Sequence, residues 1–125
     1  MQIQPDVSVI IVNYNSGSYA LDCIRSLSKQ RDVNLEIIVV DNASKDDSLK
    51  LFAANLPDSV LLIKSPENLG FGRANNLAAS RASGEFLLLL NPDTVIDDAY
   101  SIKNLRDTLL RNSKVGLLAP ALDEP

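Results

Sequence analysis

Histidine is absent from the 125 residues, and cysteine occurs once, as Cys23. The first absence removes the commonest general base and metal ligand, and the second excludes an internal disulfide and a cysteine-built zinc site. Chemistry must therefore be carried by carboxylates, amides, Arg or Lys. Long apolar runs are missing too: none approaches the roughly 20 residues needed to span a bilayer. The Met1 start has no basic region followed by an apolar core, so it does not read as a secretory signal. The expected location is the cytoplasm. An excess of positive charge is lacking as well. Twelve Lys and Arg stand against sixteen Asp and Glu, a net charge of −4, which offers no electrostatic footprint for nucleic acid. The five Gly and six Pro are scattered, so no low-complexity or disordered segment stands out.

With 46% hydrophobic residues, the chain is long enough to bury a real core, and residues 1–125 are expected to form one domain without linker or internal repeat. Apolar, β-branched runs of strand length recur at residues 7–12, 35–40, 60–63, 86–90 and 115–119. Most are apolar throughout rather than alternating, as in strands of a parallel sheet covered by helices on both faces. Between them lie helical patterns. Leu21, Ile24 and Leu27 share a face with Ala20 and Cys23; Leu49, Phe52 and Leu56 mark a second helix. Ser44 and Asp47 fit a capping box opening that second helix, and Pro57-Asp58 closes it. A third helix is expected over 72–83, packing Ala74, Leu77, Ala78 and Ala82, with Gly84 as its stop. Asp97 and Asp98 are expected to open a fourth, whose Ile102, Leu105 and Leu109 face inward. The alternation predicts an α/β fold, an open doubly wound sheet with right-handed crossovers.

Ligands of such sheets sit beyond the carboxyl ends of the strands, near the point where strand order reverses. Four segments occupy those ends: "NYNSG" (13–17), "DNASKDD" (41–47), "SPENLGFGRANN" (65–76) and "NPDT" (91–94). All are rich in Asn, Asp, Ser and Gly. The first strand leads into neither G-x-G-x-x-G nor G-x-x-x-x-G-K-[ST], so a dinucleotide fingerprint and a P-loop are both absent. A phosphoacceptor receiver domain has the same length and element order. It would need paired acids, an Asp and a Lys where this chain has Asn13, Ser65 and Pro120.

"VSVIIVNYNSG", "IIVVDNASKDDS", "ENLGFGRANN" and "LLLLNPDT", in this order and spacing, resemble the N-terminal half of family-two inverting glycosyltransferases of GT-A fold. The likeness is strongest to rhamnosyltransferase-like members that build cell-surface polysaccharides. Each motif alone is weak; together, at matching strand ends, they cover essentially the whole chain. The resemblance implies a mainly parallel, Rossmann-like sheet cut off after about the fifth strand. It implies sugar transfer with inversion from a UDP- or dTDP-linked donor to an acceptor hydroxyl on a saccharide or lipid-linked saccharide. The carboxylate that serves as general base would lie beyond Pro125, leaving this piece with nucleotide binding and little or no transfer; Asp123 and Glu124 are not assigned that part. The alternative is a non-catalytic nucleotide-sugar-binding module. A sheet ending there would leave apolar surface open to self-association, and the longer protein would sit at the inner face of the membrane.

The residues support distinct tasks at a nucleotide-sugar site. Asp41 can accept a hydrogen bond from a uracil or thymine imide N–H, and the resemblance makes it the base reader; the alternative is a turn-fixing strand-end Asp. Tyr14 resembles the residue lying against the base, its alternative being an ordinary core or surface aromatic. Asn13 and Asn15 combine turn work with facing the nucleotide. Asn68 and Gly70 lead into the third helix, whose start attracts phosphate, and Gly permits close backbone approach. Arg73, one turn in, is placed to reach the diphosphate, or is a solvated helix residue. Asn75 and Asn76 sit where Ala would suit a helix better, which suggests polar work for one of them, Asn75 being assigned to the nucleotide. Pro92 ends the strand and presents Asp93, which is expected to hold Mg²⁺ or Mn²⁺ with the diphosphate and water completing the shell. Asp93 corresponds to the last acid of the family's D-x-D motif. The first is Asn91 here, which predicts weak metal affinity without the nucleotide. Asp97 and Asp98 are assigned to helix capping, and Cys23 to the core.

Overall fold

The computed structural model describes residues 3–112. Strands and helices alternate: β1 (Val7–Asn13), α1 (Gly17–Leu27), β2 (Leu35–Asp41), α2 (Ser48–Asn55), β3 (Leu61–Lys64), α3 (Gly70–Arg81), β4 (Phe86–Leu90) and α4 (Ser101–Arg111). The four strands form one sheet in the order β3-β2-β1-β4, and every pairing in it is parallel. The chain moves from β1 outward through β2 and β3, then returns to place β4 on the other side of β1. Strand order therefore reverses between β1 and β4, the crevice position of a doubly wound sheet. The expected strand at 115–119 lies outside the described residues.

Over β1 and β2 both faces of the sheet are covered, as the apolar runs predict. On one face Val7, Val9, Ile11 and Val39 pack with Leu21, Ile24 and Leu27 of α1, Phe52 of α2 and Ile102 of α4. On the other, Ile10, Ile38 and Val40 pack against Ala74 and Ala78 of α3. The small side chains of α3 let its backbone lie close to the sheet, while Phe52, fully buried, anchors α2. Truncating such a ring to Ala costs about 3–5 kcal/mol.

Four local expectations change. β4 is not covered on both faces as its unbroken apolar run predicts: it is an edge of the described sheet, and Leu87 and Leu89 are each 50% exposed. α3 lies across β1 and β2, so the β4 side chains pointing to that face have no cover among the described residues. Ser44 does not cap α2, because that helix starts at Ser48 without a side-chain cap and the Ser44 hydroxyl is engaged elsewhere. α3 runs over Gly70–Arg81, and Gly84 is not its stop. A Cβ on Gly84 would lie 2.5 Å from Ser8 Oγ and 2.6 Å from Ser8 N, so this glycine lets the approach to β4 press against β1. Finally, α4 begins at Ser101. Asp98 fixes the turn before it by accepting Tyr100 N–H at 2.8 Å, while its carbonyl accepts from Gln30 Nε2 at 2.7 Å.

Candidate functional site at the carboxyl ends of the strands

Asn13 and Asp41 are register partners at the ends of β1 and β2. The sheet holds them side by side, and their side chains bond: Asn13 Nδ2 donates to Asp41 Oδ1 at 3.0 Å. Ser44 closes the group. Its hydroxyl donates to Asp41 Oδ1 at 2.7 Å, its N–H donates to Asp41 Oδ2 at 3.0 Å, and its oxygen accepts from Asn13 Nδ2 at 3.3 Å and Asn15 N at 2.9 Å. Asp41 is only 1% exposed. A carboxylate offers about four acceptor positions. Two on Oδ1 and one on Oδ2 are occupied here, leaving a single position on Oδ2. Asn13 Oδ1 is also buried and has no partner among the described residues.

The loop after β2 is held in an unusual backbone shape. Ala43 has φ +60° and Asn15, facing it, φ +53°. Left-handed backbone suits Asn but strains Ala. Asn15 Oδ1 accepts Lys45 N at 2.8 Å and Asp46 N at 3.2 Å, binding the two loops together. Ser48 Oγ accepts Gly17 N at 3.0 Å, which ties the start of α1 to the start of α2. Tyr14, at the rim, is exposed.

Asn42, also buried, reaches the next segment. Its Oδ1 accepts Leu69 N at 2.8 Å and its Nδ2 donates to Gly70 O at 3.3 Å. Asn68 Oδ1 accepts Gly70 N at 2.8 Å, and Gly70 takes φ +77°, a conformation only glycine adopts at no steric cost. No acidic residue occupies the first turn of α3, so the positive end of its dipole is not offset by a side chain there. Space over Gly70 and Gly72 is open. Arg73 is exposed and forms no ion pair among the described residues. Asn75 turns inward: it is buried, and its Nδ2 donates to Phe71 O at 3.0 Å, while Asn76 is exposed.

On the other side of β1, Asn91, Pro92 and Asp93 line an open hollow of about 490 Å³ with Ser16 and Tyr19. Strand neighbours are about 4.8 Å apart, so the ends of β2 and β4, separated by β1, lie on the order of 10 Å from each other. Asp93 is exposed, yet its charge is felt inside: burial first, then Asp93, pushes the Cys23 thiol up to about 11. Cys23 is fully buried and inert at neutral pH. Among the described residues no three His, Cys, Asp or Glu cluster as a metal cage. The donor set is one solvent-facing carboxylate beside an amide, which suits a hard cation that takes most of its ligands from phosphate and water.

The structure thus gathers Asn13, Asn15 and Asp41 into one group through Ser44, joins it through Asn42 to Leu69 and Gly70, with Asn68 bonded to Gly70 within that loop, and leaves Tyr14, Arg73 and Asp93 exposed. Ser44, Asn42, Ser48 and Tyr19 are absent from the sequence-derived set. Asp-x-x-Ser was the visible signal for Ser44; Asn42 carried none, since its partners lie 27 and 28 positions away.

Residues 8–120 match the model of the family described as Glycosyl transferase family 2. The succinoglycan biosynthesis protein ExoO of Rhizobium meliloti is 34% identical over 92 residues, which cover 74% of this chain and 26% of ExoO. Among solved structures, the mannosyltransferase PcManGT of Pyrobaculum calidifontis, in complex with GDP-Man and Mn²⁺, superposes with TM-score 0.75 and 27% identity, covering 86% of this chain and 33% of that one. Residues 1–349 of S. aureus TarS with UDP-GlcNAc give TM-score 0.71 and 29% identity, covering 86% and 32%. The chain spans about a third or less of the length of these proteins. Its four-stranded parallel sheet with helices on both faces is that of GT-A glycosyltransferases, and the chain belongs to glycosyl transferase family 2.

Proposed function

We propose that this chain is the donor-binding part of an inverting glycosyltransferase that takes a UDP- or dTDP-linked sugar and serves cell-surface polysaccharide synthesis. The observation that carries the reading is the bonded Asn13–Asp41–Ser44 group, with one acceptor position left on Asp41 Oδ2. An imide N–H is a single donor and matches a single remaining acceptor. Tyr14 is exposed, free to lie against the base. The start of α3, with Arg73, faces the diphosphate by its dipole and its fork of donors. Asp93, with Asn91, would hold Mg²⁺ or Mn²⁺; the bound cation supplies charge neutralisation for the departing diphosphate. No residue of this chain is assigned as general base or acceptor site, and a rhamnosyl donor follows only from the subgroup resemblance. Support for a nucleotide-sugar ligand comes from PcManGT and TarS, solved with GDP-Man and UDP-GlcNAc.

Calorimetric titration of the protein with UDP and dTDP, with and without Mn²⁺, tests this. Binding that tightens with Mn²⁺, with the tightening lost in Asp93→Ala, is the expected result. Absence of heat for either nucleotide with folded protein in all conditions would overturn it.

A further inference from the structure

Asn42 takes no part in the roles assigned above, yet its peptide unit and side chain link the ends of β1 and β2 to the segment that follows β3 and enters α3. Its N–H continues the sheet by donating to Asn13 O at 2.8 Å, and the carbonyl before it, on Asp41, accepts Ser65 N at 2.9 Å. Its side chain then faces the main chain of the loop entering α3, accepting from Leu69 N at 2.8 Å and donating to Gly70 O at 3.3 Å. Those two bonds make the amide act like one more peptide in a ladder. They are the side-chain bonds among the described residues that join the β2 end to the start of α3. With Asn42 only 3% exposed, water does not readily replace them.

We infer that Asn42 is a positioning residue that sets the distance between the base-reading Asp41 and the phosphate-facing start of α3, so that a nucleoside and its diphosphate are bound as one rigid unit. The inference rests on the donor-site reading above. Asp41 and Asn42 are adjacent in the chain, so any shift of the loop at 65–70 relative to β2 must first break the Asn42 bonds. Two sites held at fixed separation reinforce each other, and two sites joined by a loose loop lose that gain to ordering. No acid in the first turn of α3 competes with a phosphate there. Asn68, by contrast, bonds only within its own loop, to Gly70 N, and cannot fix the loop to β2.

The test compares uridine and UDP as probes, by NMR titration of the protein and of Asn42→Ala and Asn42→Asp. Asp is nearly isosteric and keeps an acceptor for Leu69 N–H, but it sets a carboxylate against Gly70 O; it serves as the second variant where Ala perturbs folding. The expected result is that the advantage of UDP over uridine shrinks by about tenfold, the upper range for one neutral hydrogen bond, while uridine affinity holds. Equal losses for both ligands, or an unchanged ratio, would mean Asn42 is merely structural and overturns the inference alone. Failure of the unsubstituted protein to bind UDP overturns the donor-site reading and this inference with it.

Discussion

β1 and β2 carry a polar register pair at each end, and the two pairs have opposite consequences. Near the amino ends, Ser8 sits opposite Glu36; at the carboxyl ends, Asn13 sits opposite Asp41. Each pair places a carboxylate on β2 and bonds it across to β1. Glu36 Oε1 accepts from Ser8 Oγ at 2.7 Å and Ser83 N at 2.8 Å, and Oε2 accepts from Ser83 Oγ at 2.9 Å. Two of these three bonds thus come from a segment 47 positions away, and Ser8 Oγ also accepts Gly84 N at 2.8 Å. That end is closed by the lead-in to β4. At the other end Asp41 is held by a loop only three residues on, the backbone is strained at Ala43, and the surrounding Tyr14, Arg73 and Asp93 face solvent. One carboxylate completes the fold; the other, itself buried, is fixed in place behind side chains that face solvent.

The contrast is broken most severely at the closed end. Gly84→Ala puts a methyl against main-chain atoms of Ser8 and Val7, which cannot swing aside as a side-chain tip would. A loss of about 3 kcal/mol is expected, the upper range for overpacking, measured as a lower urea midpoint with unchanged slope.

At the open end, Asp41→Ala should cost about 2 kcal/mol, because Asn13 Nδ2 and the Ser44 N–H and hydroxyl lose their shared acceptor inside the protein. The same variant should abolish UDP binding. Retained UDP affinity in a folded Asp41→Ala protein would separate the stabilising role of this carboxylate from the proposed base reading.

Ala43→Gly has the opposite sign. Relief of left-handed strain, about 1–2 kcal/mol, exceeds the extra unfolded-chain entropy of Gly, about 0.4–1 kcal/mol. A net gain of about 0.5–1 kcal/mol is expected by urea unfolding. A loss instead would show that the loop shape is not strained in solution.

The smallest effect sharpens the comparison by pH. Partial burial pushes Glu36 up, but hydrogen bonds from Ser83 and Ser8 outweigh it and hold the carboxyl below its ordinary range. A carboxylate depressed in the folded state adds stability that is present above its unfolded pKa and lost as pH falls through the folded one. Acid titration of stability should therefore show a component below the ordinary Glu range that disappears in Glu36→Gln. An identical acid profile in that variant would sever the link.

Much of this was legible locally. Continuous runs of Val, Ile and Leu announced parallel strands, the 3–4 spacing of Leu21, Ile24 and Leu27 announced α1, and the four polar segments fell at the carboxyl ends of β1 to β4. The errors share one cause. Ser44 three positions before Asp47 has the spacing of a capping box, but its hydroxyl meets Asp41 three positions back and, because β1 and β2 are in register, Asn13 and Asn15, two contacts no local pattern encodes. Gly84 after a helical run resembles a stop, whereas its neighbour in space is Ser8. Leu87 to Leu90 look buried on both faces because their run is unbroken, yet the cover over one face depends on where α3 lands.

The amino-acid sequence by itself determined the alternation of strands and helices, the parallel sense of the sheet and the ends of the strands at which polar chemistry gathers. These follow from side-chain periodicity and from turn residues acting within a few positions. Only the tertiary structure decided that β4 returns beside β1, that Asp41 keeps one acceptor position, and that Asn42 bridges to α3. Those outcomes depend on hydrogen bonds between residues tens of positions apart, which exist only once strand order and register have brought them together.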